Sequence, residues 1–102
     1  MYKLVFTESY ERREAAFIKR HPEMVGRYKK VLKLLELNPM HPSLKLHKLK
    51  GKFQNKHAVS INDAYRVIIA FVVAGDEIIP IDIGHHDEVT TYHPGLRPPL
   101  LK

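Results

Sequence analysis

The segment Ile81–Val89, IDIGHHDEV, follows an apolar run and delivers two imidazoles and two carboxylates directly after a glycine. Such residues serve as metal ligands, as proton carriers, or as an ordinary polar strand end. Histidine titrates near neutrality and moves a proton in either direction. A zinc site would draw on His85, His86, Asp87 and His93. Adjacent histidines on an extended segment point to opposite sides, however, and the helical spacing of a zinc-binding histidine pair is missing. There is no cysteine, which removes disulfides and thiolate sites. The expectation is no metal and no cofactor.

Arg66 is the odd residue of a second stretch, YRVIIAFVV, which is otherwise nearly all apolar. It snorkels at a strand start, pairs with Asp63 or Asp87, or is held at a site. If Gly75-Asp76 forms a two-residue turn, Arg66 lies opposite His85, with Gly84 and His86 as neighbours. A slip of one residue keeps it at the same corner but changes the facing. The preceding hairpin sets His57 or Ser60 on the strand beside Arg66. A lysine-rich segment carrying His47, Lys48, Lys50 and Lys52 enters from the side.

These residue types suit cleavage of RNA by its own 2′-hydroxyl. A base removes the hydroxyl proton, cations stabilise the more negative phosphorane, and an acid protonates the departing 5′-oxygen. Histidine can perform either proton transfer, typically worth about 10²–10⁴ in rate. Arginine is permanently charged and matches phosphate with two hydrogen bonds. Equally, His85 and His86 fit a solvated strand end, and any single lysine fits a solvated face.

The elements that must position these groups follow from pattern. YKLVF (Tyr2–Phe6) reads as a strand. Thr7 or Ser9 caps a helix with Glu8 and Glu11 at its positive end, finishing near His21. Pro22 suits the first turn of a second helix, in which Tyr28, Val31, Leu32 and Leu35 mark the buried face. Asn38-Pro39 stops it. Leu44, Leu46 and Leu49 anchor the lysine-rich segment. HAVSI, YRVIIAFVV and IIPIDIG follow as strands, the first two joined by an Asn62-Asp63 turn, with Pro80 marking an edge or bulge. The expected architecture is α+β: an antiparallel sheet of about four strands against an N-terminal helical hairpin, in the order β-α-α-β-β-β. Residues 1–102 form one domain, with an irregular tail over 90–102.

The chain has 102 residues and a net charge of +6, from 17 basic and 11 acidic side chains. That surplus favours nucleic acid or an acidic protein as partner. No apolar run is long enough to span a membrane, and MYKLVFTESY has charges where a signal peptide needs an apolar stretch. A cytoplasmic location is the expectation.

In order and spacing, LKLHKLKG, SINDAYRVIIAF and IIPIDIGHHDEV resemble the sequence blocks of the RelE/ParE superfamily of bacterial type II toxins, nearest to RelE-like and YafQ-like members. The resemblance runs through Val89. It implies a microbial-RNase-like sheet, metal-independent cleavage of mRNA in the ribosomal A site, and an acidic antitoxin that wraps the domain. Arg66 then matches a phosphate-stabilising arginine. His86 matches a catalytic position, and His47 matches a histidine of YafQ-like toxins. His57 falls near a basic residue of the RelE active site. Lys48, Lys50, Lys52, His85 and Tyr92 become RNA contacts. The chain departs from the family where HDEVY is usual, because Thr90 replaces the tyrosine and Tyr92 follows two residues later. The RelE multi-lysine strand is also missing. The alternatives are a ParE-like gyrase poison, or a non-enzymatic module that binds an antitoxin and acts as co-repressor.

Overall fold

A computed structural model of the chain describes residues 1–51, 55–72 and 75–89, without the side chains of Asp87 and Glu88. The expectations for Lys52, Tyr92 and the tail from residue 90 lie outside the described residues.

After β1 (Lys3–Leu4), the chain enters α1 (Glu8–Arg20). The entry follows from Thr7, whose hydroxyl accepts from Tyr10 N at 3.1 Å and satisfies one of the open amides of the first turn. Glu8 and Glu11 complement the positive helix end, and Lys19 and Arg20 the negative one. A 3₁₀ turn over Pro22–Met24 reverses the chain into α2 (Val25–Leu37). That helix stops at Asn38, which is extended (ψ 95°) because Pro39 follows it. Tyr10 and Tyr28 bury the hairpin's facing sides and share a 2.7 Å hydroxyl contact. The Tyr28 hydroxyl donates onward to Glu14 at 2.6 Å, so the buried phenols are satisfied. Burial raises both phenol pKa values.

The remaining strands are β2 (His47–Lys48), β3 (His57–Ser60), β4 (Tyr65–Phe71) and β5 (Glu77–His85), followed by a short helix α3 (His86–Val89). They form one five-stranded sheet in the order β1-β5-β4-β3-β2. The expected α+β architecture holds, with two differences. The sheet is mixed, because β1 runs parallel to β5, and β2 adds a strand at the far edge. Neither was readable locally. The β1–β5 pairing joins distant segments through Lys3 N to Asp76 O and Val5 N to Ile78 O. β2 is only two exposed residues long.

The register at the predicted site also differs. Arg66 lies opposite Gly84, and Tyr65 lies opposite His85. The two-residue turn on Gly75-Asp76 does not form; Val72 N donates to Glu77 O, which closes a longer connection. A bulge then shifts the ladder: Ile68 pairs with Asp82 but Ile69 pairs with Pro80, leaving Ile81 as the extra residue. Pro80 has no amide to donate, so the irregularity falls where the ladder is weakest. Nor does the glycine end the strand. β5 runs through Gly84 to His85.

Alternation divides the sheet residues between two faces. Val59, Ile61, Val67, Ile69, Ile78 and Ile83 pack with Tyr10, Phe17, Tyr28, Val31 and Leu35 of the helical hairpin. On the other face, Ala58 and Ile68 pack with Leu49 and Val89.

Candidate active site

Arg66 belongs to the second face, flanked by Ser60 of β3 on one side and Gly84 of β5 on the other. Its neighbours make it available. Ser60 is buried and spends its hydroxyl on Asn62 O at 2.7 Å. Gly84 has no side chain to lay over the guanidinium. Among the described residues, Arg66 Nε is buried and has no hydrogen-bond partner, and no carboxylate pairs with the guanidinium. The alternative pairing with Asp63 is therefore not made; Asp87 lies outside the described side chains. A buried donor without an acceptor costs free energy that an anion arriving at the site would recover.

One turn fixes the start of β4 and the position of His86. Asn62 Oδ1 accepts from Ala64 N at 2.9 Å and from Tyr65 N at 2.8 Å. Ala64 O in turn accepts from His86 N at 2.8 Å. The first residue of α3 is thereby tied to the backbone two residues before Arg66. The His86 ring stacks on His85 with centroids 4.6 Å apart and planes 26° from parallel.

His47 lies opposite Ala58, which lies opposite Ile68, so its side chain shares the Arg66 face. Strand and residue spacings separate the His47 and Arg66 backbones by roughly 10–12 Å. Two long side chains can close on one phosphodiester across that span. The ring is also oriented. His47 Nδ1 lies 3.0 Å from Lys45 O, and a carbonyl only accepts, so Nδ1 carries the proton. Nε2 is then the free lone pair of the neutral ring. Lys45 holds a left-handed conformation (φ 50°), unusual for a residue with a side chain, and this aims its carbonyl at the histidine.

The other expected residues are distributed differently. His57 pairs with Ile69 and stands edge-on to Phe71 at 5.1 Å, on the helix side of the sheet. Burial, with the Lys48 and His47 charges added, lowers its pKa. The fold does not bring it together with Arg66. His85 lies opposite Tyr65 and meets it edge-on at 5.9 Å, also on the helix side. Lys48 pairs with His57, so it points away from Arg66, while Lys50 is exposed beyond β2. Lys45 was legible only as one more exposed lysine, because its role is carried by its backbone. Among the described residues, no three histidine, aspartate or glutamate side chains converge as a metal-ligand set. Among them too, no helix is long and apolar enough to cross a membrane.

No protein-family model matches the chain, and no curated protein sequence matches it significantly. Solved structures do. A copper-bound mutant toxin from Helicobacter pylori is 22% identical, with 87% of this chain and 99% of that one covered and a TM-score of 0.68. A YoeB/ParE toxin from Agrobacterium tumefaciens is 22% identical over 82% and 98% of the two chains, with a TM-score of 0.66. The DinJ-YafQ toxin-antitoxin complex of E. coli contains a chain 19% identical over 86% and 96%, with a TM-score of 0.69. The fold is the one these toxins share, and the match takes in more than four-fifths of this chain and nearly all of each neighbour.

Proposed function

We propose that this chain, which has the fold of the RelE/ParE-type toxins, is the toxin of a type II toxin–antitoxin pair and cleaves mRNA without a metal, at the ribosome. The observation that carries the reading is Arg66 between Ser60 and Gly84, its Nε buried without a hydrogen-bond partner among the described residues, on the face that also carries His47. In this scheme Arg66 binds the non-bridging phosphate oxygens and stabilises the phosphorane. Neutral His47, protonated at Nδ1, takes the 2′-hydroxyl proton on Nε2. His86, at the adjoining strand end, protonates the departing 5′-oxygen. The products are a 2′,3′-cyclic phosphate and a 5′-hydroxyl. Lys48 and Lys50 contribute longer-range attraction to the RNA, so affinity falls with salt.

The partner follows from charge and from likeness. A chain of net charge +6 suits an acidic antitoxin, and one structural neighbour is a toxin–antitoxin complex.

Induction of the chain in bacteria tests the reading. The expected sequence is an early stop in translation with cleaved message, and His86→Ala relieves growth arrest at unchanged protein level. Early DNA-damage signalling with intact message would instead favour a gyrase poison. Undiminished toxicity of His86→Ala would remove that residue from the mechanism.

A further inference from the structure

On the helix side, a cleft of about 550 Å³ opens between α1 and the ends of β4 and β5, adjoining the candidate active site at Gly84. Its walls combine two arginines, Arg13 and Arg20, with the rings of His21, Tyr65 and His85. The rings form a continuous series. His21 and Tyr65 lie 4.6 Å apart, Tyr65 and His85 5.9 Å, and His85 and His86 4.6 Å. The series therefore starts at the C-terminal end of α1 and finishes at a proposed catalytic residue.

The charges in the cleft are not equivalent. Arg13 is held by Asp82 at 3.4 Å. Arg20 is exposed, and among the described residues it makes no ion pair. An uncommitted guanidinium beside ring edges and faces is the combination that binds single-stranded nucleic acid: the cation takes a phosphate and the rings take a base. An acidic peptide would use the arginines but has no need of the rings.

We infer that this cleft is a nucleotide subsite, which takes one nucleotide of the RNA beyond the scissile bond, with its phosphate on Arg20 and its base against His21 and Tyr65. The inference rests on the nuclease reading. The RNA passes over the end of the sheet: the scissile phosphate lies on the Arg66 face, and the flanking nucleotide turns past His86 and His85 into the helix-side cleft.

The test uses the full chain and an eight-nucleotide RNA whose 2′-hydroxyls are methylated, so that it binds without being cut. Imidazole proton resonances, assigned by single His→Gln variants, report both places. Shifts at His21 together with His47 support the subsite and the catalytic face alike. Shifts at His47 and His86 with His21 unmoved overturn the subsite and leave the nuclease reading standing. Shifts at His21 with His47 unmoved support the cleft and sink the catalytic face. No shift at any histidine overturns both, whereas a response of His21 to polyglutamate but not to the RNA overturns the subsite alone. Arg20→Ala, at an exposed position outside the catalytic set, is expected to weaken binding about 3- to 10-fold. It should also reduce the slope of log affinity against log salt by about 0.7, the value of one phosphate contact to a single strand. An unchanged slope would overturn the role of Arg20.

Discussion

The two faces of the sheet are built from the same strands and have opposite economies. Among the described residues, the helix side gathers thirteen buried residues into one cluster, closed by the Tyr10–Tyr28–Glu14 hydrogen bonds. The other side, among the described residues, gathers four: Leu49, Ala58, Ile68 and Val89. Each fully buried aliphatic or aromatic side chain contributes about 1.5–3 kcal/mol, so most of the stabilisation from the described residues lies on the helix side. Among the described residues each face holds one buried nitrogen without a hydrogen-bond partner, Arg66 Nε on the thinner face and His57 Nδ1 on the helix side.

The sharpest way to break this division is at Arg66. Arg66→Ala is expected to lower RNA cleavage by about 10²–10³, the usual loss when one charge-stabilising donor is removed. The melting temperature should hold or rise, because Nε has no hydrogen bond to lose among the described residues. A protein that melts much earlier, with cleavage down only in proportion, would make Arg66 a structural residue.

Two adjacent isoleucines sharpen the comparison further. Ile69 and Ile68 are both buried, at 0% and 1% exposure, but they point to opposite faces. Leu/Ile-to-Ala costs span about 2–5 kcal/mol, depending on how far the site collapses. Ile69→Ala, in the dense cluster, is expected near the upper end, at about 4 kcal/mol. Ile68→Ala, in the small one, belongs near about 2 kcal/mol. Urea unfolding measures both, and equal losses would contradict the division.

The smallest effect concerns His57, on the stability side of the sheet. Burial disfavours its cation, so its folded pKa lies below the ordinary value of 6.5. As pH falls through 6.5, the unfolded chain takes up this proton before the folded one does. The stabilisation is complete above 6.5, declines as pH drops towards the folded pKa, and changes no further below it. His57→Gln should flatten that part of the stability profile, read as urea midpoints at pH 7.5 and 5.5. A profile as steep as that of the unaltered chain would show that His57 is not shielded.

Much of the scaffold was legible in the sequence. Thr7 and Asn38-Pro39 act through their own backbones and immediate neighbours, so the start of α1 and the end of α2 fall where they were expected, whereas Pro22 opens a 3₁₀ turn and α2 begins only at Val25. The Asn62 turn was legible for the same reason. The candidate site was legible as a set of residue types, not as an arrangement. Arg66 and His47 share a face, but His57 and His85 sit across the sheet from Arg66, and Arg66 meets Gly84 instead of His85. One extra residue in β5 moved the pairing by a position, and a connection assumed to be two residues long was longer.

The sequence by itself determined the alternation of helix and strand, the cationic surplus, and the supply of imidazoles near one strand end. These depend on contacts within a few residues and on composition. Only the tertiary structure decided which imidazoles share a face with the arginine. In an extended chain a shift of one residue sends every side chain to the other side, and the shift is set by a bulge and by pairing between segments far apart in sequence.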